Sequence, residues 1–269
     1  MVALAHALAP SPSPAALVDL ERWPIADLDT PTARAVVATA RRALETTGLC
    51  LLPGFLTKPA RRAMAAEVEA RVGHAHPRDA WFGLGTGYRG ANASADGRSS
   101  RYAMRALACD RLDPTGPLRA LFGWDGLTDL VSALVGERLY PSVDPLASLS
   151  VTILGAGDEH GWHYDENDFV VSLLLQDADD GGHFELVPGS RDRTDARAVE
   201  DRALAGEAGG LVRPTVGAGT LSLLRGRRSL HHVSPVERGR RLIALFSYDR
   251  RPGMVFSDGV RSGAFGRVA

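Results

Sequence analysis

The segment Gly161-Trp-His-Tyr-Asp165 carries an imidazole and a carboxylate two residues apart. At a strand end that spacing starts both side chains on one face, where they offer two adjacent ligands to a divalent ion. A third ligand is available from Leu230-His-His-Val-Ser-Pro-Val236, on a strand able to lie beside the first. Alternation along a strand sends His231 and His232 to opposite faces, so one of the pair points inward. Two histidines and one carboxylate on one face, with the opposite positions open, form the donor set of non-haem Fe(II) oxygenases. Beyond the pair, Arg241 opens an apolar strand, and a buried guanidinium there binds a carboxylate bidentately, as Lys would not.

The remaining histidines have plainer readings. His160, beside Glu159, reads as a surface residue, His183 as part of a hairpin, His232 as the outward neighbour of His231, and Trp162 as core packing. His74 and His76 lack a carboxylate at ligand spacing and read as loop residues. Between Gly73 and Ser100 the composition turns to Gly, Asn, Ser and Asp with Trp81, Phe82 and Tyr88 interspersed, which is the character of a long binding loop. Tyr88, Arg89, Asn92, Arg101, Tyr102 and Arg105 belong to or border it and are the candidates for substrate contacts. Glu166, Asn167 and Asp168, just past the carboxylate, are candidates for holding a substrate ammonium.

The elements that must position these residues follow from local signals. Asp29-Thr-Pro-Thr32 starts a helix that runs to Thr47-Gly48, and Thr57-Lys-Pro59 starts another that runs to about Val72. Leu49 to Pro53 is a short apolar run expected as a buried strand, and Leu118 to Phe122 and Leu127 to Val135 are expected as helices. After Tyr140 the chain changes to short Val-, Leu- and Ile-rich runs separated by Gly, Asp and Pro. Strands are expected at 149–154, 169–176, 183–187, 220–224, 229–233 and 242–248, with a helix at 196–205 between them. The pattern predicts an α+β chain in which an all-β barrel or sandwich is carried on an N-terminal helical layer.

Composition narrows the class of function. The 269 residues carry 31 basic and 32 acidic side chains, a formal charge of −1, which concentrates no positive surface for nucleic acid or anionic membrane. Lys58 is the one lysine, so the many arginines reflect a compositional bias and mostly solvate the surface. Cys50 and Cys109 have no CxxC spacing and are expected as free thiols in a reducing cytoplasm. The first residues lack a basic stretch ahead of their apolar start, and no apolar run approaches the roughly 20 residues of a membrane helix, so a signal peptide and a membrane anchor are not expected.

The ordered set His163-x-Asp165, the Gly181-Gly182 hairpin, Gly219-Thr-Leu, His231-x-Val-x-Pro-Val236 and Gly239-Arg-Arg241 resembles the Fe(II)/2-oxoglutarate-dependent dioxygenase superfamily over about Leu149 to Arg250. The resemblance implies a double-stranded β-helix of the jelly-roll or cupin kind with N-terminal supporting helices. In that frame about 15–140 form the helical layer and substrate loop, about 141–252 the β-helix core, and 253–269 a C-terminal tail. It implies that His163, Asp165 and His231 bind iron and that Arg241 pairs with the far carboxylate of 2-oxoglutarate. The position two residues after that arginine, commonly Ser in the superfamily, is Ile243 here, so the second donor to the carboxylate is expected from Ser150 or Thr152. Halogenating relatives have Gly or Ala in place of the carboxylate ligand, so Asp165 implies hydroxylation.

The implied activity is oxidative decarboxylation of 2-oxoglutarate to succinate and CO₂ with O₂, coupled to oxidation of a small polar substrate. A free amino acid or a natural-product intermediate is the expected substrate class, in a monomer or homodimer. Desaturation, cyclisation or epoxidation on the same fold, a non-catalytic metabolite-binding β-helix and a cupin-like Zn or Mn protein are the alternatives.

Overall fold

A strand that meets helices on one face and a reaction chamber on the other needs apolar and polar residues in alternation. The computed structural model, which describes residues 12–84, 98–165, 167–207 and 209–269, has helices α1 (Pro14–Leu17), α2 (Pro31–Thr47), α3 (Lys58–Glu69), α4 (Pro117–Phe122), α5 (Asp125–Val135), α6 (Ala196–Leu204) and α7 (Asp258–Phe265). Its strands are β1 (Leu49–Leu52), β2 (His76–Gly83), β3 (Ser99–Leu107), β4 (Tyr140–Pro141), β5 (Leu149–Leu154), β6 (Glu159–His163), β7 (Val170–Gln176), β8 (Asp180–Gly181), β9 (Phe184–Val187), β10 (Leu221–Leu224), β11 (Leu230–Val233), β12 (Val236–Arg238), β13 (Arg241–Phe246) and β14 (Tyr248–Asp249).

The main sheet runs β1-β10-β7-β13-β5-β3-β6-β11-β9, with β2 on the outer edge of β3. Strand β3 pairs with both β5 and β6 and so turns the corner between two halves of a curled antiparallel sheet. This is the expected double-stranded β-helix. On its larger half the outward residues Leu149, Val151 and Ile153 of β5, Val171, Leu173 and Leu175 of β7, and Leu242, Ala244 and Phe246 of β13 join one apolar core with Leu44 of α2, Met64 and Val68 of α3, and Leu127 and Leu130 of α5. Each such side chain, fully buried, contributes about 1.5–3 kcal/mol. The intervening residues face inward: Ser150 and Thr152 of β5 stand opposite Leu245 and Ile243 of β13, and Ser172 of β7 meets Ser222 of β10 at 3.4 Å.

The supporting helices start and stop where the caps require. Thr30 Oγ1 accepts from Ala33 N ahead of Pro31, and Gly48 closes α2 at φ 74° in the left-handed region.

Two stretches fold differently from the sequence reading. The presumed loop after Gly73 contains β2 and begins the approach to β3, so His76, Trp81 and Phe82 are strand residues; Tyr88, Arg89 and Asn92 lie outside the described residues. Strand β2 carries Pro77, Asp79 and Trp81 on an exposed face, the composition of an edge, which is why it resembled a loop. The presumed tail forms α7. Ser257 Oγ accepts from Val260 N at its start, Phe265 packs on Leu146 and Ala147, and Arg261 Nε pairs at 2.9 Å with the fully buried Asp144.

Candidate metal centre

The smaller half of the sheet brings the chemistry together. His163 ends β6 and His231 lies in β11, and the two are direct partners across the antiparallel pair, with ring centroids 4.1 Å apart. His163 Nδ1 donates to Gly161 O at 2.7 Å and His231 Nδ1 to Ser229 O at 2.8 Å. These bonds fix both tautomers and leave both Nε2 atoms free as ligands. Asp165 follows β6 and is held by its own N–H to Gly226 O at 3.2 Å. Its Oδ1 lies 3.5 Å from His163 Nε2 and its Oδ2 3.4 Å from His231 Nε2. One donor atom from each of the three residues lies within 4.8 Å of the others.

Whether these groups fit a metal is decided by Asp165 Oδ2, which is buried and has no hydrogen-bond partner. The nearest imidazole nitrogen, at 3.4 Å, is beyond ordinary N–H···O distance. A buried carboxylate oxygen left in this way is costly unless a cation completes it, and one ion about 2 Å from each donor does so. Burial pushes the Asp165 carboxyl up, but the adjacent imidazoles, His231 first and then His163, outweigh this and hold it well below the usual carboxylate range. Burial, followed by the neighbouring His231, lowers His163. Burial lowers His231 as well, but the charge of Asp165 outweighs it and raises that imidazole. Asp165 and His163 thus stand in the protonation states a metal requires, and a metal bound at His231 would displace the proton that Asp165 favours there.

A cavity of about 630 Å³ opens on this centre and is lined by His163 and Asp165 together with Tyr102, His160, Ser150 and Thr152. Tyr102 is buried, and burial followed by the charge of Asp165 raises its phenol, which stays protonated as a donor. Asn167 also lines the cavity, as do Arg78, Arg191 and Arg227. Helix α7 and the segment before it close one side through Phe256, Val260 and Phe265.

Other candidates lie elsewhere. Arg101 sits on the opposite face of β3 from Tyr102, paired with Asp79 at 2.9 and 3.0 Å, and Arg105 is exposed on that same outer side. Adjacent strand positions point to opposite faces, which grouping the loop-border residues together had ignored. Asp168 is tied to Arg250 at 2.8 Å and Arg227 at 3.3 Å. Glu166 lies outside the described residues.

His160 is not the surface residue expected. Its ring stacks on His163 with centroids 4.1 Å apart and meets Tyr102 edge-on at 4.7 Å, and burial holds it well below the ordinary histidine range, as the neutral imidazole. His232 does face outward, where Nε2 bonds Glu185 Oε2 at 2.6 Å and the ring stacks on Trp162 at 3.7 Å. Arg78, Gly226 and α7 were not anticipated as parts of the site. The glycine-capped run from Ser257 to Gly266 was the one available signal among them, as a helix start and stop.

Arg241 is 4% exposed and lines a different cavity, of about 300 Å³, with Gly182, His183, Phe184 and Arg213. Burial lowers its guanidinium to about 10, opposed by Asp177, so it stays cationic at neutral pH.

A sequence model of one protein family, halogenase D, matches residues 32–254. The chain belongs to the halogenase D family. Among solved structures, this family member is similar in fold to the non-haem α-ketoglutarate-dependent epimerase SnoN from nogalamycin biosynthesis, with TM-score 0.57 and 18% identity over 80% of this chain and 83% of that one. It is also similar to AviO1 from Streptomyces viridochromogenes Tue57, with TM-score 0.55 and 20% identity over 78% and 93%. HygX from Streptomyces hygroscopicus, solved with nickel and 2-oxoglutarate bound, gives TM-score 0.54 and 16% identity over 81% and 88%. No curated protein matches the chain in sequence. The fold expected from the motifs is thus the fold of these structures. No helix among the described residues is long and apolar enough to cross a membrane.

Proposed function

We propose that this halogenase D family member is an Fe(II)- and 2-oxoglutarate-dependent oxygenase that hydroxylates an unactivated C–H bond of a small polar molecule. A free amino acid or a natural-product intermediate is the substrate class. The observation that carries the reading is the unpartnered Asp165 Oδ2, facing two imidazoles whose Nδ1–H groups are already committed to backbone carbonyls. When bound by His163, Asp165 and His231, iron supplies activation of O₂ coupled to decarboxylation of the keto acid.

The chain's own residues do the remaining work. Backbone carbonyls hold the two rings so that only Nε2 is presented. Arg241 offers a fixed fork to the far carboxylate of 2-oxoglutarate, and Ser150 and Thr152 offer hydroxyls from the inner face of β5, where Ile243 has none. Tyr102 and Asn167 supply neutral polar contacts in the cavity, and its aromatic walls exclude water from the reacting bond. Tyr88, Arg89, Asn92 and Glu166 remain candidates for substrate contacts.

The family's description favours a second reading, halogenation. Against it stands the carboxylate itself, since Asp165 takes the position at which halogenating relatives carry Gly or Ala. The first experiment is anaerobic addition of Fe(II) and then 2-oxoglutarate to metal-free protein. The weak visible charge-transfer band of a chelated keto acid is expected, followed in air by succinate release against an amino-acid panel. Iron binding with no band overturns the reading in favour of a metalloprotein that does not use 2-oxoglutarate.

A further inference from the structure

Two ring pairs stand back to back where β6 meets β11. On the inner face His163 and His231 lie opposite each other, with ring centroids 4.1 Å apart. On the outer face their chain neighbours Trp162 and His232 stack at 3.7 Å, their planes 17° apart. His232 is in turn the direct partner of Glu185 on β9. There His232 Nε2 donates to Glu185 Oε2 at 2.6 Å, and Arg213 Nε donates to Oε1 of the same carboxylate at 2.6 Å. Trp162 carries the row on to α6 by packing against the apolar cluster of Leu84, Ala203 and Leu230. One line of contacts thus crosses β9, β11 and β6 directly behind the two imidazole ligands.

This row stands where the backbone ladder is irregular. His231 pairs with His163 but Val233 pairs with His160, two steps along β11 against three along β6, so β6 carries a bulge at Gly161 and Trp162. A bulge interrupts the ladder and lets the strand bend. The extra residue also puts His160 on the same face as His163, where the two rings stack. Only glycine fits the bulge, because a Cβ on Gly161 would stand 2.2 Å from Ser100 Oγ and 2.5 Å from Arg101 O on β3. Regular ladder bonds therefore do not by themselves fix His163 against His231. Nor does stability account for the row: Glu185 is 5% exposed, and desolvating a carboxylate costs more than packing an apolar side chain in the same place. What a stacked and hydrogen-bonded imidazole supplies, and an aliphatic side chain does not, is a fixed orientation.

Resting on the reading of His163, Asp165 and His231 as metal ligands, we propose that Glu185, His232 and Trp162 are positioning residues for the metal centre. The outer row locks β11 against β6 across the bulge, so that the two Nε2 atoms on the inner face keep one separation and one direction. Neither Glu185 nor His232 lines either cavity, so their effect on the metal runs through the two strands and not through contact with a ligand.

Co(II) titrated into metal-free protein tests this without turnover, because its visible ligand-field bands report affinity and coordination geometry together. His232→Ala removes the stack and the bond, and Glu185→Ala removes the bond alone. Co(II) affinity is expected to fall about tenfold or more in both, with shifted or broadened bands, as loss of groups that orient metal ligands does. Glu185→Gln keeps an acceptor oxygen for His232 Nε2 and is expected to restore the wild-type bands and affinity. Asp144→Asn, which loosens α7 instead, is expected to lower the melting temperature of metal-free protein and leave the bands unchanged, which separates positioning from a general loss of stability. If His232→Ala melts below the assay temperature, His232→Phe, which keeps a stacking ring and loses the bond, is measured in its place with the same expectation. Wild-type affinity and bands in the His232 variant and Glu185→Ala overturn the proposal, and so does a loss in Glu185→Gln as large as that in Glu185→Ala. If wild-type protein binds no Co(II), the metal-centre reading fails first.

Discussion

Gly226 lies directly against the carboxylate of Asp165: a Cβ at that glycine would stand 1.6 Å from Oδ2. Its carbonyl also accepts the Asp165 N–H, so a single residue both anchors the ligand and leaves room for it. Gly226→Ala is therefore expected to displace the carboxylate and weaken Fe(II) affinity by about 10- to 100-fold, as lost support of a metal ligand does. Calorimetric titration of metal-free protein reads the affinity, and an unchanged far-ultraviolet spectrum separates this from unfolding.

Asp165 also determines what halide can do. In the wild type, chloride added to the Fe(II) and 2-oxoglutarate complex is expected to leave the charge-transfer band where it is. In Asp165→Gly, which removes a protein ligand, chloride is expected to shift the band. A chloride-induced shift in the wild type would point to halogenation.

Arg241→Lys keeps the charge but loses the bidentate fork, and Arg241→Ala loses both. Affinity for 2-oxoglutarate is expected to fall about tenfold in the first and at least a hundredfold in the second, about 1.4 and 2.7 kcal/mol. Fe(II) affinity should be unchanged in both, because Arg241 does not belong to the donor set.

The wall formed by α7 depends on one buried carboxylate. Asp144 is desolvated, which raises its pKa, yet the N–H groups of Ala147, Leu146 and Phe256 and the Arg261 guanidinium outweigh that and lower it. A depressed folded value means that this stabilisation is present above the unfolded carboxyl value, near 4, and is lost as the pH falls through that value towards the folded one. Thermal melts are expected to show the loss on acidification in the wild type. Asp144→Asn is expected to lose about 3 kcal/mol at neutral pH and most of the acid dependence.

Much of this was legible in the sequence because strand alternation and ligand spacing are local. His163, Asp165 and His231 converge as expected, and the β5, β7, β10 and β13 runs fall within a residue or two of their predicted bounds. What stayed hidden depends on contacts between distant segments. Nothing next to His160 in the chain shows that Tyr102, from β3, will cover it. Arg78 lines the cavity only because β2 pairs with β3, and β2 has the composition of an exposed edge. The value of Gly226 lies in an absent atom, which no spacing rule detects.

The register that sets His163 opposite His231 has a consequence for the life of the protein as well as for its chemistry. Those partners come from strands far apart in the chain, so the donor set does not exist until a long loop has closed, at an entropic cost that slows folding. A metal that binds only the closed form adds about 2.7 kcal/mol to it at a hundredfold excess over the dissociation constant. A metal ion held there would act as a clasp between β6 and β11, and without it the chain would open, and be degraded, more readily.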